Sequence, residues 1–364
     1  MKLTVITKNL IKGLQSVERI VGKNLNLPIL NTILFKTENG RLKLSSTNLE
    51  IGINYWIGGK VTEEGEICLP AKVVSDFISN ISDEKIDISS KNNILNISTN
   101  SYKTQIIGFS PKDFPIIPRI KTNNYIQINS KILKNTLMGV VDATSISESR
   151  PELSGVFCMF SANRGIFAAT DSFRLAEKQI EINKNIPDIS FIIPRSTTLE
   201  FIRVLYDLDE DINLIISENQ IQITSESFEI ISKLIDGRYP DYQKIVPNKF
   251  SSSAVFSRGD LEKSIKVSGI FSSSLNDIKI EVDNDRTKLM TKNTDRGELI
   301  STVKSELLNN PFSISLNYNY LLDGLKNINS EKVLVGFTGD GGPLVLRPED
   351  KKINYTYLIM PLRN

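Results

Sequence analysis

The first stretch of the chain separates apolar and polar residues with the period of an α-helix. Between Lys8 and Val21, the apolar residues Leu10, Leu14 and Val17 recur every three or four positions, which places them on one helix face. The opposite face is polar and largely basic, and it carries Lys8, Lys12, Gln15 and Arg19. The pattern predicts an amphipathic helix that packs its apolar face on a core.

Helical patterns of this kind recur along the chain, and strand-like segments separate them. The predicted helices cover residues 8–23, 72–80, 131–142, 195–206, 260–270 and 318–328. Strands are expected at Ile29–Lys36 and in alternating pairs such as Ile86–Ile88 and Ile94–Ser98, with a turn at Lys91–Asn93 between the latter two. Consecutive strands joined by short turns form hairpins. The sheets should therefore be antiparallel and the fold class α+β.

The order of helix, strands, helix and strands occurs three times, about 123 residues apart. The sequence Leu69-Pro70-Ala71-Lys72 returns as Ile193-Pro194-Arg195-Ser196 and again as Leu316-Asn317-Tyr318-Asn319. This period is much longer than the roughly 20–50 residues of a solenoid unit, so each repeat should be a domain with its own core. Proline-bearing segments near 113–118 and 238–247 mark the junctions. We expect three repeated domains, at residues 1–121, 122–248 and 249–364.

Composition narrows the classes of function. The chain has no histidine and two cysteines, Cys68 and Cys158, which argues against a Ser-His-Asp triad, a disulfide framework and tetrahedral zinc. The acidic run from Asp207 to Glu218 has Ile212 where a calcium loop needs glycine, so neither a metal nor a cofactor is expected. No apolar run approaches the roughly 18 residues of a membrane span, and no signal-peptide pattern is present. We expect a cytoplasmic protein without membrane contact.

Charge is balanced overall but uneven along the chain. The net charge is +2, too small for a simple basic nucleic-acid binder. The six predicted helices nevertheless carry twelve basic and seven acidic residues. If these helices line one surface, that surface suits sequence-independent contact with the backbone of duplex DNA. On charge alone, ordinary solvated helix faces remain the simpler alternative.

Eight short motifs, in order along the whole chain, resemble those of one known family. They are Leu27-Pro28-Ile29-Leu30, Ser46-Thr47-Asn48-Leu49-Glu50, Leu69-Pro70-Ala71-Lys72, Asp113-Phe114-Pro115, the segment Ala169 to Leu175, Ile193-Pro194-Arg195, the segment Asp236 to Tyr242, and Met360-Pro361-Leu362-Arg363. Together with the threefold repeat, they resemble the bacterial DNA polymerase III beta subunits, the replicative sliding clamps.

The resemblance implies a homodimeric ring of six similar domains, with helices around a central hole and antiparallel sheets outside that continue across the interfaces. Such a protein is no enzyme: it encircles duplex DNA and tethers the DNA polymerase III catalytic subunit, the clamp loader and other replication and repair factors. The resemblance places Ile270 and Phe271 at the dimer contact. The residues expected to face the DNA are Lys12, Lys23, Lys72, Lys134, Arg150, Arg195 and Arg203.

The family also has one pocket per protomer that receives short peptide motifs from these partners. Carried over by resemblance, the pocket residues are Leu153, Thr170, Arg174, Leu175, Pro240, Lys244, Ile245, Asn317, Tyr320, Met360, Pro361 and Leu362. Ser172-Phe173 departs from the family pattern, so peptide preference should differ in detail. The first repeat has Thr47-Asn48-Leu49 at the matching position but no equivalent C-terminal strand to close a groove. We therefore expect a single site per protomer.

One alternative comes from a different class of protein. A three-domain hydrolase that uses carboxylates could employ Asp171 and Asp241. It would need the two carboxylates about 5–10 Å apart in a cleft, and no sequence motif specifically supports that pair.

Overall fold

The computed structural model describes residues 1–22, 26–122, 124–147, 149–284 and 286–362. Six α-helices lie within these ranges, and each overlaps a predicted helix, although the first ends at Val17 rather than at residue 23 and is followed by a 3₁₀ turn at Glu18–Ile20. They are α1 (Thr7–Val17), α2 (Ala71–Ser79), α3 (Ser130–Val141), α4 (Arg195–Val204), α5 (Arg258–Gly269) and α6 (Tyr318–Lys326). The prediction of two helices per repeat is confirmed.

Strands make up most of the remaining chain. The first repeat contains β1 (Lys2–Ile6), β2 (Thr32–Glu38), β3 (Arg41–Thr47), β4 (Ile51–Glu63), β5 (Glu66–Pro70), β6 (Lys85–Lys91), β7 (Ile94–Ser98) and β8 (Lys103–Ile107). The second contains β9 (Ile126–Asn129), β10 (Gly155–Thr170), β11 (Arg174–Pro194), β12 (Asp211–Ile216), β13 (Gln220–Thr224) and β14 (Phe228–Lys233). The third contains β15 (Ser252–Ser257), β16 (Asp277–Asp283), β17 (Arg286–Asn293), β18 (Gly297–Lys304), β19 (Glu306–Leu307), β20 (Phe312–Asn317), β21 (Lys332–Phe337), β22 (Leu344–Pro348) and β23 (Tyr355–Ile359).

The chain divides into two compact units. The first comprises Met1–Lys131 and Arg203–Leu234. Its described strands form one sheet in the order β8-β7-β6-β1-β4-β14-β13-β12-β9, with β3 paired to β4, and β2 lying between β3 and β5. All these pairings are antiparallel. The pairing of β4 with β14 joins strands of the first and second repeats.

The second unit comprises Ile132–Ile202 and the chain from Ile235 onward. It holds a sheet in the order β10-β11-β23-β22-β21-β15-β19 and a smaller one in the order β18-β17-β16-β20. Here β11 pairs with β23 and joins the second repeat to the third. Antiparallel sheets with separate helices confirm the α+β class. Strands pair across the repeat junctions, so the two compact units do not begin or end at residues 121 and 248. The boundaries of the three domains given by the sequence analysis therefore stay a prediction.

Helix α1 packs on the sheet of the first unit through the apolar face that the sequence predicts. Leu10, Leu14 and Val17 are all buried. Gly13 lies so close to the sheet that a Cβ atom there would stand 2.6 Å from Ile57 Cδ1. A larger residue at this position would force the side chain of Ile57 to move, which is costly because packed cores leave little free volume.

Two turns show how local sequence decides backbone geometry. Asn92 and Asn93 have φ angles of 53° and 59°, as a two-residue hairpin turn requires, so the predicted turn between β6 and β7 is confirmed. The strand predicted at Ile29–Lys36 is partly wrong, because a 3₁₀ turn occupies Pro28–Asn31 and β2 begins at Thr32. The fixed φ of proline suits the first position of a helical turn.

None of the helices in the described part of the chain is long and apolar enough to cross a membrane.

Candidate functional site

A tight loop connects β10 to β11 in the second unit. Thr170 Oγ1 donates a hydrogen bond of 2.6 Å to the main-chain oxygen of Arg174. Asp171 Oδ1 accepts from the main-chain N–H groups of Phe173 and Arg174, at 2.9 and 3.0 Å. Ser172 has a φ of 78°, a left-handed conformation that few non-glycine residues adopt. These bonds hold the loop in one conformation and present Arg174 at the start of β11.

Arg174 is the best-anchored cation of this region. Its Nε donates to Asp171 Oδ2 at 3.0 Å, and its Nη1 donates to Asp323 Oδ2 on α6. The guanidinium carbon lies 4.4 Å from the centroid of the Tyr320 ring. Burial alone would lower the pKa of Arg174, but Tyr357 and the bonds to Asp323 and Asp171 outweigh it and raise the pKa. The guanidinium is a fixed positive charge that stacks on an aromatic ring.

A buried aromatic cluster lies beneath this loop. Thr170 donates its main-chain N–H to the Tyr239 hydroxyl at 3.0 Å, and the Tyr239 ring stacks on Phe157 with centroids 5.0 Å apart. Leu153 and Leu175, both predicted as pocket residues, belong to the same core and are 3% and 2% exposed. They support the floor of the region, while more exposed neighbours form its surface.

The C-terminal segment after β23 runs beside the loop. Met360 donates its main-chain N–H to Phe173 O at 2.8 Å, and Leu362 donates to Ser315 O on β20 at 2.9 Å. Met360 is exposed, while Pro361 and Leu362 are half-buried. Asn317 caps α6 through its side chain. The structure thus brings together Thr170, Arg174, Tyr320 and the C-terminal residues, which lie far apart in sequence.

The remaining predicted pocket residues lie on a 3₁₀ turn, Tyr242–Ile245, and just before it. Pro240 accepts a main-chain bond from Tyr242, whose ring belongs to the buried cluster. Ile245 is 56% exposed and offers an apolar surface. Lys244 forms an ion pair of 2.8 Å with Asp241 of its own turn and is highly exposed. No contact joins Lys244 to Arg174 among the described residues.

The cations predicted to contact DNA fall into two groups. Lys12, Lys72 and Arg150 are exposed, and Lys134 is half-buried on α3. Arg203 instead donates to the main-chain oxygens of Gln15 and Ser16 at the end of α1, at 2.7 and 2.8 Å. Cations at a helix C-terminus stabilise the helix, so Arg203 has a structural role whatever else it contacts. Lys23 lies outside the described residues.

Arg195 repeats this arrangement at the end of α3. Its Nη1 donates to Val141 O and, at 2.7 Å, to Thr144 Oγ1, while Asp142 lies 3.8 Å from its Nη2. Arg195 and Arg203 each hold a helix end with part of the guanidinium. The sequence prediction took them as DNA contacts only and had no signal for these caps.

The residues predicted at the dimer contact lie at the end of α5. Ile270 is 57% exposed and Phe271 is half-buried. Arg296, just before β18, donates to Ile270 O at 3.3 Å. Within the described residues, β18 is an outer strand of its sheet, and so is β8 in the first unit. Ile300 on β18 and Ile107 on β8 are 64% and 78% exposed, which is unusual for apolar residues on an open strand edge.

The hydrolase alternative is wrong. Both oxygens of Asp171 accept hydrogen bonds from the loop and from Arg174, so this carboxylate holds a turn. Asp241 is exposed and pairs with Lys244. Across the parts of the chain that the structure describes, no cluster of three or more His, Cys, Asp or Glu residues could hold a metal ion.

Sequence reasoning missed several residues of these sites. Asp323 and Tyr239 hold Arg174 and the loop, yet neither carries a local motif that separates it from ordinary helix or core residues. Arg19 lines an open cavity of about 470 Å³ together with Lys12 and Arg203. Its place on the basic face of the first helix was the signal that could have added it to the DNA-facing set.

The reason given for a single peptide site also needs correction. The first repeat does have an equivalent closing strand, because β14 pairs with β4 as β23 pairs with β11. The one-site expectation therefore rests on side chains rather than on a missing strand.

Three successive domains with paired helices, joined by sheets that continue from repeat to repeat, define a clamp-type architecture. Family models match in chain order: the N-terminal domain of the DNA polymerase III beta subunit at residues 1–118, its central domain at 127–241 and its C-terminal domain at 243–363. The chain belongs to the DNA polymerase III beta subunit family.

Individual relatives agree over the full length. A protein named beta sliding clamp from Staphylococcus epidermidis is 28% identical, with 100% of this chain and 99% of the relative covered. Another beta sliding clamp, from Streptococcus pneumoniae serotype 4, is 28% identical over 98% of each chain. The solved DNA polymerase III beta subunit of Thermotoga maritima has a TM-score of 0.93 at 25% identity and covers 100% of this chain and 99% of its own. That of Pseudomonas aeruginosa has a TM-score of 0.94 at 25% identity, with both chains fully covered.

Proposed function

We propose that this protein is a DNA sliding clamp that closes as a dimeric ring around duplex DNA in the bacterial cytoplasm. It is a processivity factor of the replicative polymerase and catalyses no reaction of its own. The observation that carries the proposal is the full-length match of three consecutive clamp domains, in order, to the beta subunit family.

The repeat itself suggests how the ring closes. Strand β4 begins at Ile51 and pairs with β14, so that Ile51 lies opposite Ser232. In the second repeat, Arg174 lies opposite Ile359 of β23 in the same way. The third repeat has a similar loop that is one residue longer, because Asn293 pairs with Gly297, whereas Asn48 and Asp171 bond to Ile51 and Arg174. Its Asn293 Oδ1 accepts from the main-chain N–H groups of Asp295 and Arg296 at 2.9 and 3.1 Å. Its strand β18 has no described partner on that side.

The strand that would occupy this position is β8 of a second copy. In the first repeat, β8 holds the place that β14 and β23 hold in the next two repeats, and its outer edge is open. Continuing the pattern places Arg296 opposite Ile107 of the second copy, and Ile300 opposite Lys103. The two exposed isoleucines would then be covered, together with Ile270 and Phe271 at the end of α5. Apolar and aromatic residues are typical of an interface core.

Cysteine cross-linking tests this register. A Lys103→Cys, Ile300→Cys variant should form covalent dimers on mild oxidation, since directly opposite Cβ atoms lie about 4.5–5.5 Å apart. The native thiols should not interfere, because both are buried, and burial raises the pKa of Cys68 to about 11 and also raises the pKa of Cys158. The matched control is a Lys103→Cys, Thr302→Cys variant, in which the second cysteine lies two residues further along β18 and should cross-link less. Equal cross-linking in both variants would argue against this register.

A second test addresses the interface core. Replacing Ile270 and Phe271 together by alanine should give monomers at micromolar concentration, as measured by light scattering. A variant that stays fully dimeric would remove these residues from the contact.

DNA contact should be sequence-independent, because the proposed contacts involve basic side chains and phosphates. The contacting residues would be Lys12, Lys23, Lys72, Lys134, Arg150, Arg195 and Arg203, with Arg19 added. Protein loaded on a nicked circular plasmid should stay bound in a wash that releases it from linear DNA of the same sequence. Equal loss from both would contradict topological binding. The logarithm of the DNA affinity falls linearly with the logarithm of the salt concentration. Replacing Lys72 and Arg195 together should make the magnitude of this slope smaller by roughly two.

The peptide site would lie around Arg174, Tyr320 and the C-terminal segment in the second unit. Its surface combines exposed Ile245 and Met360 with half-buried Pro240, Pro361 and Leu362, and its floor rests on Leu153, Thr170 and Leu175. Methionine and branched aliphatic residues adapt to different apolar anchors. Short motifs from the polymerase catalytic subunit, the clamp loader and repair factors would share this groove, with Lys244 and Asn317 at its rim.

A further inference from the structure

The single tryptophan of the chain, Trp56, lies on β4 and points away from helix α1. Its neighbour Ile57 faces α1, next to Gly13. Successive side chains of a strand point to opposite faces, so Trp56 lies on the other face of the sheet. Lys43 of β3 is directly opposite Trp56 and shares that face. This surface is separate from the basic helix face proposed for DNA.

Three cations surround the indole ring. The guanidinium carbons of Arg41 and Arg119 lie 5.9 and 5.6 Å from the ring centroid, and Lys43 Nζ lies 5.5 Å from it. Cation–π attraction favours this arrangement. A single ring with one cation could be incidental surface packing. Here β3 supplies Arg41 and Lys43 and a separate segment supplies Arg119, so two parts of the chain bring three cations to one ring. Lys43 also pairs with Glu38 at 3.5 Å, so the two arginines carry most of the available positive charge.

Each arginine is held in place from one side. Arg119 Nε donates to Glu229 Oε2 at 2.6 Å, and Glu229 is only 4% exposed. Asn54 Nδ2 donates to the other oxygen of Glu229 at 3.3 Å. Arg41 Nη1 donates to the main-chain oxygen of Glu226 at 3.3 Å. These anchors limit the motion of both guanidinium groups, which lowers the entropy cost of binding a ligand.

The anchors leave most of the donors free. Arg119 uses only its Nε, and Arg41 bonds to a neutral carbonyl, so both guanidinium groups keep N–H donors without an acceptor among the described residues. They open onto a cavity of about 570 Å³ that Lys121, Thr224, Ser225 and Glu226 also line. Guanidinium groups bind carboxylates through paired N–H donors.

We propose that the cluster of Arg41, Lys43, Trp56, Arg119 and Lys121 binds an acidic peptide segment of a partner protein. Carboxylates of the peptide pair with Arg41 and Arg119, and its main chain lies over the hydroxyl-lined floor. Single-stranded nucleic acid fits less well, because the three cations crowd the ring on which a base would stack. The second repeat lacks this site: by the strand register, Gln179 takes the place of Trp56 there, beside Glu177.

Trp56 itself reports binding. Titration of the intact dimer with a synthetic oligo-glutamate peptide should change the tryptophan fluorescence in a saturable, salt-sensitive manner, and calorimetry should return the same affinity. Arg41→Gln should weaken binding roughly tenfold, since one charge-assisted hydrogen bond is lost. This variant keeps Glu229 paired and should fold normally.

Lys60→Gln is the matched control. Lys60 is exposed on the same strand and face, about 13 Å from Trp56, so its loss should leave the affinity within twofold. Unchanged affinity in Arg41→Gln, or the absence of any fluorescence and heat change with the peptide, would overturn the proposal. Tighter binding of oligothymidylate than of oligo-glutamate would also overturn it and assign the cluster to nucleic acid.

Discussion

Two loops of this molecule have the same backbone and different side chains. In the first unit, Thr47 Oγ1 donates to Ile51 O at 2.9 Å, and Asn48 Oδ1 accepts from the N–H groups of Glu50 and Ile51 at 3.0 and 2.8 Å. Leu49 has a φ of 74°. In the second unit, Thr170, Asp171 and Ser172 repeat every one of these features.

The closing strand is also the same in both places. Lys233, the last residue of β14, donates its main-chain N–H to Glu50 O at 3.1 Å. Met360, which follows β23, donates to Phe173 O in the same way. What differs is the residue that begins the following strand. Ile51 is buried and has no polar group, whereas Arg174 is held by Asp171 and Asp323 over Tyr320. The comparison indicates that the repeat supplies a common scaffold and that a few side chains distinguish the copy in which the peptide site is proposed.

The largest expected effect comes from removing the C-terminal segment. Deleting residues 360–364 takes away Met360, Pro361 and Leu362 and should abolish binding of a polymerase-derived peptide, measured by fluorescence anisotropy. Light scattering should still show the dimer, because the proposed interface involves β8, β18 and the end of α5 rather than these residues. Unchanged peptide affinity would remove the groove from this location.

The Arg174→Ala substitution should have the next largest effect on peptide binding. It leaves the carboxylates of Asp171 and Asp323 without their shared partner, and a charged hydrogen bond contributes about 1.5–3 kcal/mol. Peptide affinity should fall at least tenfold. Arg174→Lys keeps the positive charge, but an ammonium group lacks the planar set of donors with which a guanidinium bonds two carboxylates. The lysine variant should therefore recover only part of the lost peptide affinity. Full recovery in the lysine variant would mean that charge alone matters.

A matched pair of substitutions sharpens the comparison further. Asp171→Asn turns an amide toward Arg174 and should destabilise the protein by about 1–2 kcal/mol, because the charged bond is lost. Asn48→Asp keeps the same oxygen acceptor and meets no arginine, so the change should stay within about 0.5 kcal/mol. Urea unfolding measures both. Equal costs would show that the loops do not differ in the way described.

The smallest effect should follow from changing the left-handed residue of the second loop. Ser172→Gly relieves the backbone at a φ of 78°, but glycine loses more entropy on folding, so stability should change by less than about 1 kcal/mol. Ser172→Val places a β-branched side chain where it is rarely tolerated and should cost about 1–2 kcal/mol. Leu49→Gly in the first loop should match Ser172→Gly in urea unfolding, and a large difference between them would contradict their equivalence.

The sequence by itself determined the six helices, the antiparallel hairpins and the threefold repeat. These follow from periodicity and turn residues, which act over a few positions, as Leu10, Leu14 and Val17 do on α1 and Asn92 and Asn93 do between β6 and β7. The same local motifs, compared by resemblance, also led to the beta subunit family.

The tertiary structure decided everything that depends on atoms distant in sequence. Arg174 meets Asp323 across 149 positions of the chain, and Arg203 reaches the end of α1 across 187–188. The pairing of β14 with β4 places a strand beside the loop of the first repeat, where none was expected from the sequence. Such contacts form only when strand pairing brings the segments together, and no local pattern of residues records which partner a charged or hydrogen-bonding group will find.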